Sequence, residues 1–304
     1  MMVTLQDRYR GCLLGLACGD AVGTTVEFRR RGSFEPVSDM VGGGPFDLAP
    51  GQWTDDTSMA LCLATSLLHC GGFDALDQMT RYVNWWQWGY LSATGECFDI
   101  GNTVATALQR FQSTGNPMAG ATDPATAGNG SLMRLAPVAL FFFPDLDAVR
   151  AQARLSSATT HAAAEALACC ELFAELLCRA LAGHSKDEVL KPEHSRSSEP
   201  AVRALAERRY IGKPMSEIKG SGYCVASLEA ALWCFAQAES FEATVLMATN
   251  LGDDADTTAA IAGQLAGAFY GVDAIPPAWH DRLHMAGDID TLAKALQQHR
   301  TSTS

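Results

Sequence analysis

The chain has 304 residues, 48% of them hydrophobic and 18% charged, which is ample for a large globular core. Its formal net charge is −12, and no lysine- or arginine-rich run offsets it, which argues against nonspecific nucleic-acid binding. The 10 cysteines are scattered without a CxxC pair, favouring reduced thiols in a cytoplasmic setting over disulfides or a zinc site.

The first predicted helix runs from Leu5 to Ala21, with Leu13, Leu14 and Leu16 inward. Asp7, Arg8 and Arg10 stand where a signal peptide would need apolar residues. Gly11, Gly15, Gly19 and Gly23 recur every four residues and mark a face for close packing. The segment Gly19-Asp20-Ala21-Val22-Gly23 leads on to Glu27. Residues 30–52 read as loop, and Gly42-Gly43-Gly44 there suits either a turn or close approach to a ligand. Next comes Gly51-Gln52-Trp53-Thr54-Asp55-Asp56-Thr57, at the mouth of an apolar helix carrying Met59, Ala60, Leu63 and Leu67. Thr54 suits an N-cap, and acids in the first turn suit the helix dipole.

Helices are expected over 56–69 and 74–88. Trp85, Trp86 and Trp88 fall at helical spacing and read as core or surface anchors rather than a stacking platform. Asp99 precedes a helix from Val104 to Phe111, where it could be only a helix-start acid. Gly128-Asn129-Gly130-Ser131-Leu132-Met133-Arg134 is a glycine-rich turn whose exposed N–H groups could receive an anion. The apolar run Leu135 to Pro144 is too short to span a bilayer. Thr160-His161 precedes a helix over 162–182; the histidine alone reads first as a structural one. The stretch 183–221 is a polar loop with a short helix near 200–210, and a helix follows at 223–238. The last strong helix starts near Asp256, with Ala259, Gly263, Gly267 and Gly271 on a small-residue face. Pro276-Pro277 ends it, and 279–297 is a terminal helix. No period-2 alternation calls for a sheet, and no composition break divides the chain.

At the mouth of that last strong helix, Gly252-Asp253-Asp254-Ala255-Asp256-Thr257-Thr258 repeats the theme of Thr54-Asp55-Asp56. The two clusters can meet only by folding. Together they offer hard oxygen ligands for Mg²⁺, Mn²⁺ or Ca²⁺. An EF-hand counted from Asp254 fails, because Ala259 and Leu265 stand where glycine and glutamate are needed. A serine nucleophile elbow fails as well: Met133 stands where the turn needs glycine.

These motifs, in this order, resemble the ADP-ribosylglycohydrolases, and most closely the dinitrogenase reductase-activating glycohydrolase branch. The likeness rests on Gly15 to Gly23 with Glu27, Pro50 to Thr57, Asp99 to Thr103, Gly128 to Arg134, Thr160-His161, Ser221-Gly222-Tyr223 and Gly252 to Thr257. It covers about residues 5–290. The resemblance implies an all-α, single-domain orthogonal helical bundle over 1–304, around two divalent cations, Mg²⁺ or Mn²⁺. Thr54, Asp55, Asp56, Asp254, Asp256 and Thr257 would be the ligands. Asp99, Asp56 and Glu27 would serve catalysis. Gly128, Asn129, Gly130 and Ser131 would bind the diphosphate, His161 would orient the pocket and Tyr223 would wall it. Two departures stand out. Asp253 replaces a common glycine and would add an acid near the metals. Ser131-Leu132 replaces a smaller pair, which would alter the phosphate pocket.

The implied activity is hydrolysis of ADP-ribose from modified protein side chains by a monomer, with arginine the expected linkage. Serine-linked or other ADP-ribose conjugates are the alternative within the same class. A binding role is the alternative outside it: an immunity factor that neutralises an ADP-ribosyltransferase toxin by hydrolysis, occlusion or both. A crystallin-like structural relative would have lost the acidic ligands.

Overall fold

The computed structural model describes residues 3–192 and 197–302. Among them every regular element is helical, and strand-like pairing is confined to isolated bridges such as Arg30 with Gly252 and Gly128 with Tyr223. No helix among the described residues is long and apolar enough to cross a membrane.

The first helix, α1 (Leu5–Gly23), starts at a capping box: the Thr4 hydroxyl accepts the Asp7 N–H at 3.2 Å, and Asp7 accepts the Thr4 N–H at 3.0 Å. Three helices then build a small apolar cluster of their own: α2 (Asp55–Cys70), α3 (Ala75–Trp88) and α4 (Asn102–Thr114). Met59, Tyr82, Trp85, Val104 and Leu108 meet there. Trp85 is buried and Trp88 exposed, so the tryptophans divide between core and surface. The main core adds α5 (Ala136–Phe142), α6 (Leu146–Ala158), α7 (Ala164–Leu181), α10 (Cys224–Gln237), α11 (Phe241–Thr249), α12 (Ala255–Tyr270) and α14 (Ala286–Ser302). Short helices α8 (Lys186–Val189) and α9 (Pro200–Ala206) punctuate the polar stretch, of which 193–196 lie outside the described residues; α13 (Pro277–Arg282) follows Pro276.

Helices α6 and α11 stand outside the periodicity read above. Each carries a local start signal: Asp145 accepts the Ala148 N–H at 3.0 Å, and Ser240 accepts the Ala243 N–H at 3.1 Å. The terminal helix expected over 279–297 is split in two: α13 stops at Arg282 and α14 begins at Ala286. The other helices read from the sequence fall within a few residues of their predicted ends.

The two glycine-bearing faces pack against each other. A Cβ on Gly11 would lie 2.3 Å from the Gly267 carbonyl oxygen, on Gly15 2.4 Å from that of Gly263, and on Gly19 2.1 Å from that of Ala259. The pairing runs antiparallel, with backbone touching backbone. It ends with Gly23 against Asp256, so the C-terminal end of α1 sits at the N-terminal mouth of α12. That placement brings Asp20 and Glu27 to the second acidic cluster.

Candidate metal and substrate site

Asp20, fully buried near the end of α1, fixes the first acidic stretch. Its Oδ1 accepts the Thr54 N–H and hydroxyl, both at 2.9 Å. Its Oδ2 accepts the Thr57 N–H at 3.0 Å and hydroxyl at 2.6 Å. Asp20 therefore caps α2 from another helix. Thr54 holds the N-cap position but makes no side-chain cap bond, which corrects the capping expectation. Asp20 was visible in the sequence, yet periodicity gives it no role. The available signal is a carboxylate on an otherwise apolar, fully buried helix end.

Thr54 has one hydroxyl hydrogen, and the 2.9 Å contact to Asp20 uses it. The same oxygen lies 3.3 Å from Asp256 Oδ2 and 3.4 Å from Asp56 Oδ2, and Thr257 Oγ1 lies 3.4 Å from that Asp56 oxygen. Oxygens gather here faster than hydrogens can bridge them. Asp56 Oδ1, Asp256 Oδ1 and Glu27 Oε2 are buried with no hydrogen-bond partner. The carboxylates of Glu27, Asp99 and Asp256 each place an oxygen within 4.8 Å of the others.

The charges that dominate one another here are all negative. Burial, then the charges of Asp99, Asp254 and Asp20, pushes Glu27 up to about 9. Burial, then Asp20 and Asp254, pushes Asp99 up to about 7. Asp55, Asp56 and Asp256 are held well above the usual carboxylate range by burial first and neighbouring acids second. Asp20 rises only to about 6, because four hydrogen bonds oppose its burial. Buried acids this close cannot all ionise without cations. Hard divalent ions fit the donor set: carboxylate and hydroxyl oxygens, several unpartnered, with no sulfur or imidazole among them.

A cavity of about 340 Å³ opens over the cluster. Glu27, Asp55, Asp99, Asp254, Asp256 and Thr257 line one part of it. Gly128, Asn129, Gly130, Met133 and His161 line another, and Gly101, Asn102 and Thr103 bring in the start of α4. Helix starts of α2, α4 and α12 thus face one space, which favours negative charge. Asp99 lies two residues before the Gly101 cap of α4, at φ 58, so it is a loop residue turned into the cavity and not a helix cap.

Asn129 donates from Nδ2 to Asp254 Oδ2 at 2.8 Å and to Ser227 Oγ at 3.2 Å, tying the glycine turn to the acidic loop. His161 packs edge-on to that turn: a Cβ on Gly130 would lie 2.8 Å from its Cε1. Ser131 is buried beside the cavity wall, its hydroxyl accepting from Ser157 at 2.8 Å and Cys170 at 3.3 Å. Tyr223 precedes α10, is partly exposed, and donates to Glu165. Neither Ser131 nor Tyr223 lines the cavity. Asp253, expected as a further acid at the metals, is exposed and outside the wall. Its backbone clamps the loop after α1: Phe28 N–H donates to its carbonyl, and its N–H donates to Arg29 O, both at 2.7 Å.

The chain is similar to known proteins of one family. A model of the ADP-ribosylglycohydrolase family matches residues 1–304. The chain is 48% identical over 290 residues to an ADP-ribosylarginine hydrolase Tri1 of Pseudomonas putida, covering 95% of this chain and 78% of the relative. It is 33% identical to the ADP-ribosyl-[dinitrogen reductase] glycohydrolase of Rhodospirillum rubrum, covering 93% and 92%. A solved structure described as an ADP-ribosylglycohydrolase-related protein complex superposes with a TM-score of 0.86 at 45% identity, over 97% of this chain and 98% of that one. By its motifs, its helical fold and these matches, the chain belongs to the ADP-ribosylglycohydrolase family.

Proposed function

We propose that the protein is a divalent-metal-dependent hydrolase that removes ADP-ribose from modified arginine side chains. The observation that carries this reading is the meeting of Glu27, Asp99 and Asp256, with oxygens within 4.8 Å, in a cavity shared with a glycine turn. Relatives from Pseudomonas putida and Serratia proteamaculans, 48% and 42% identical, bear the name ADP-ribosylarginine hydrolase.

Thr54, Asp55, Asp56, Asp254, Asp256 and Thr257 would hold two ions, Mg²⁺ or Mn²⁺, which when bound supply Lewis-acid activation of water and a grip on vicinal ribose hydroxyls. The chain's own residues do the rest. Asp20 holds Thr54 and Thr57 so that the first ligand stretch is set before substrate arrives. Within the turn, the Gly128 and Asn129 N–H groups donate to Thr126 O at 2.7 Å and Gly222 O at 3.0 Å, which leaves those of Gly130 and Ser131 to receive the diphosphate. Asp99 moves a proton at the anomeric centre and holds the cationic side chain as it departs. Glu27, beside Asp99 and Asp256, orients the ribose and the attacking water. The modified protein is the partner, met by a monomer. The free cysteines suit a cytoplasmic, reducing setting.

Hydrolysis of defined arginine- and serine-linked ADP-ribose substrates tests the reading. Arginine-linked substrate should be released faster, chelation should abolish release, and Mg²⁺ or Mn²⁺ should restore it. Asp56→Ala and Asp256→Ala should each lose at least one ion by metal analysis. Full activity in either variant, or preference for the serine linkage, overturns the corresponding part. Tight binding to an ADP-ribosyltransferase that survives loss of Asp55 and Asp56 would indicate occlusion as a separate role.

A further inference from the structure

Arg134 closes the glycine-rich turn and is 1% exposed. Its surroundings are unusual for a buried cation. Its Nη2 donates to Thr160 Oγ1 at 2.7 Å and reaches the Ser156 carbonyl at 3.4 Å. Its Nη1 approaches Met59 Sδ at 3.8 Å, its Cζ lies 4.7 Å from the Tyr82 ring centre, and its Nε has no partner. No carboxylate among the described residues forms an ion pair with it. A guanidinium placed this way is costly to the fold and calls for a return elsewhere.

Counting hydrogens shows where its effect goes. Arginine only donates, so Thr160 Oγ1 accepts from it. The other contact of that oxygen is His161 Nδ1, at 2.9 Å. Thr160 is fully buried and has one hydroxyl hydrogen. If Nδ1 carried a hydrogen, Thr160 would accept twice and its own hydrogen would point at nothing. The Thr160 hydroxyl and Nδ1 are both satisfied when Thr160 accepts from Arg134 and donates to Nδ1. The one hydrogen of the neutral imidazole then sits on Nε2. That nitrogen lies against Gly128 and Gly130, in the wall of the cavity, and no described protein group accepts from it. Burial and the Arg134 charge push His161 down to about 3, so the ring stays neutral.

We propose that Arg134 is a positioning residue that acts through Thr160 to lock His161 as the Nε2–H tautomer, keeping one hydrogen-bond donor aimed into the cavity at an oxygen of an anionic ligand. That the ligand is the ADP-ribose portion of the substrate rests on the function proposed above; the tautomer lock does not.

Two-bond ¹H–¹⁵N spectra of the histidine rings in the full-length protein separate the two tautomers, and His161→Gln identifies the signals. The parental ring should be Nε2–H throughout pH 5–9. Thr160→Val keeps nearly the same shape but removes the relay. It should give a mixed tautomer, weaken ADP-ribose binding by calorimetry in proportion to the lost Nε2–H fraction, about twofold for an even mixture, and raise KM while kcat changes little. Thr160→Ser should restore both spectrum and affinity. An Nδ1–H ring in the parental protein, or titration of His161 within pH 5–9, overturns the lock. So does a Thr160→Val protein with parental spectrum and affinity. A protein that shows the lock but does not bind ADP-ribose would sink the functional reading and leave the lock standing.

Discussion

At the scale of single residues, the site separates two kinds of acid. Asp20 is saturated with donors and shapes the loop, whereas Asp56, Asp256 and Glu27 keep oxygens without partners. Asp99 belongs with neither, since it reaches the cavity from a left-handed backbone position outside α4. Its carboxylate matters because arginine is a poor leaving group: its guanidinium stays protonated to a pKa above about 12. Proton transfer by a placed side chain is worth on the order of 10²–10⁴ in rate. Asp99→Asn should keep the fold and the metals, lower kcat on ADP-ribosylarginine by about 10²-fold or more, and change KM far less. Parental turnover in that variant would reduce Asp99 to a loop acid.

At the scale of elements, the contact between α1 and α12 places the chemistry. Gly263 shows how little room there is: a Cβ there would lie 2.1 Å from the Gly15 carbonyl oxygen. Gly263→Ala must push the two backbones apart, and overpacking of this kind costs about 1–3 kcal/mol. The variant should melt several degrees lower and bind metal more weakly, although residue 263 touches no ligand; an unchanged melting temperature with unchanged metal content would show that the helices yield freely. Much of this was legible in the sequence. Small residues every four positions announce a close-packing face, and paired acidic helix mouths announce a cluster of oxygen donors. What periodicity cannot supply is partnership. Nothing in the spacing says that the α1 stripe meets the α12 stripe, that Asp20 replaces Thr54 as the cap of α2, or that Arg134 reaches Thr160. Those links are made by folding between distant segments. The reading of α6 and α11 failed for a different reason: their caps, Asp145 and Ser240, are local signals that an apolar-period search passes over.

At the scale of the whole molecule, the acidic centre makes stability depend on pH and on cations together. Free Asp and Glu titrate near about 3.9 and 4.3, whereas Asp99 and Glu27 in the folded chain titrate at about 7 and about 9. The folded state therefore binds more protons than the unfolded chain across that interval. Stability from these groups is full below about pH 4 and is lost as pH rises through 7 and then 9. Chelated protein should melt at a lower temperature at pH 8 than at pH 5. Saturating Mg²⁺ or Mn²⁺ should raise the melting temperature and shrink that difference, because ions bind the folded arrangement of ionised carboxylates. A chelated protein that is more stable at pH 8 would contradict the assignment.

The contact of α1 with α12 also has a consequence in time. Thr54 and Asp256, whose oxygens approach to 3.3 Å, are 202 positions apart in the chain. During synthesis the N-terminal acids emerge long before their counterparts, at roughly 5–20 residues per second. Until α12 leaves the ribosome, the glycine face of α1 has no partner, and Asp55 and Asp56 lack the second half of the proposed site. On the proposed reading, metal would therefore be acquired only after the mouth of α12 has emerged. A fragment ending at residue 200 should bind Mn²⁺ no better than an unstructured acidic peptide, while adding the separate segment 201–304 should restore binding only as the two pieces associate. Tight, stoichiometric Mn²⁺ binding by the first fragment alone would show that the N-terminal half builds a site by itself.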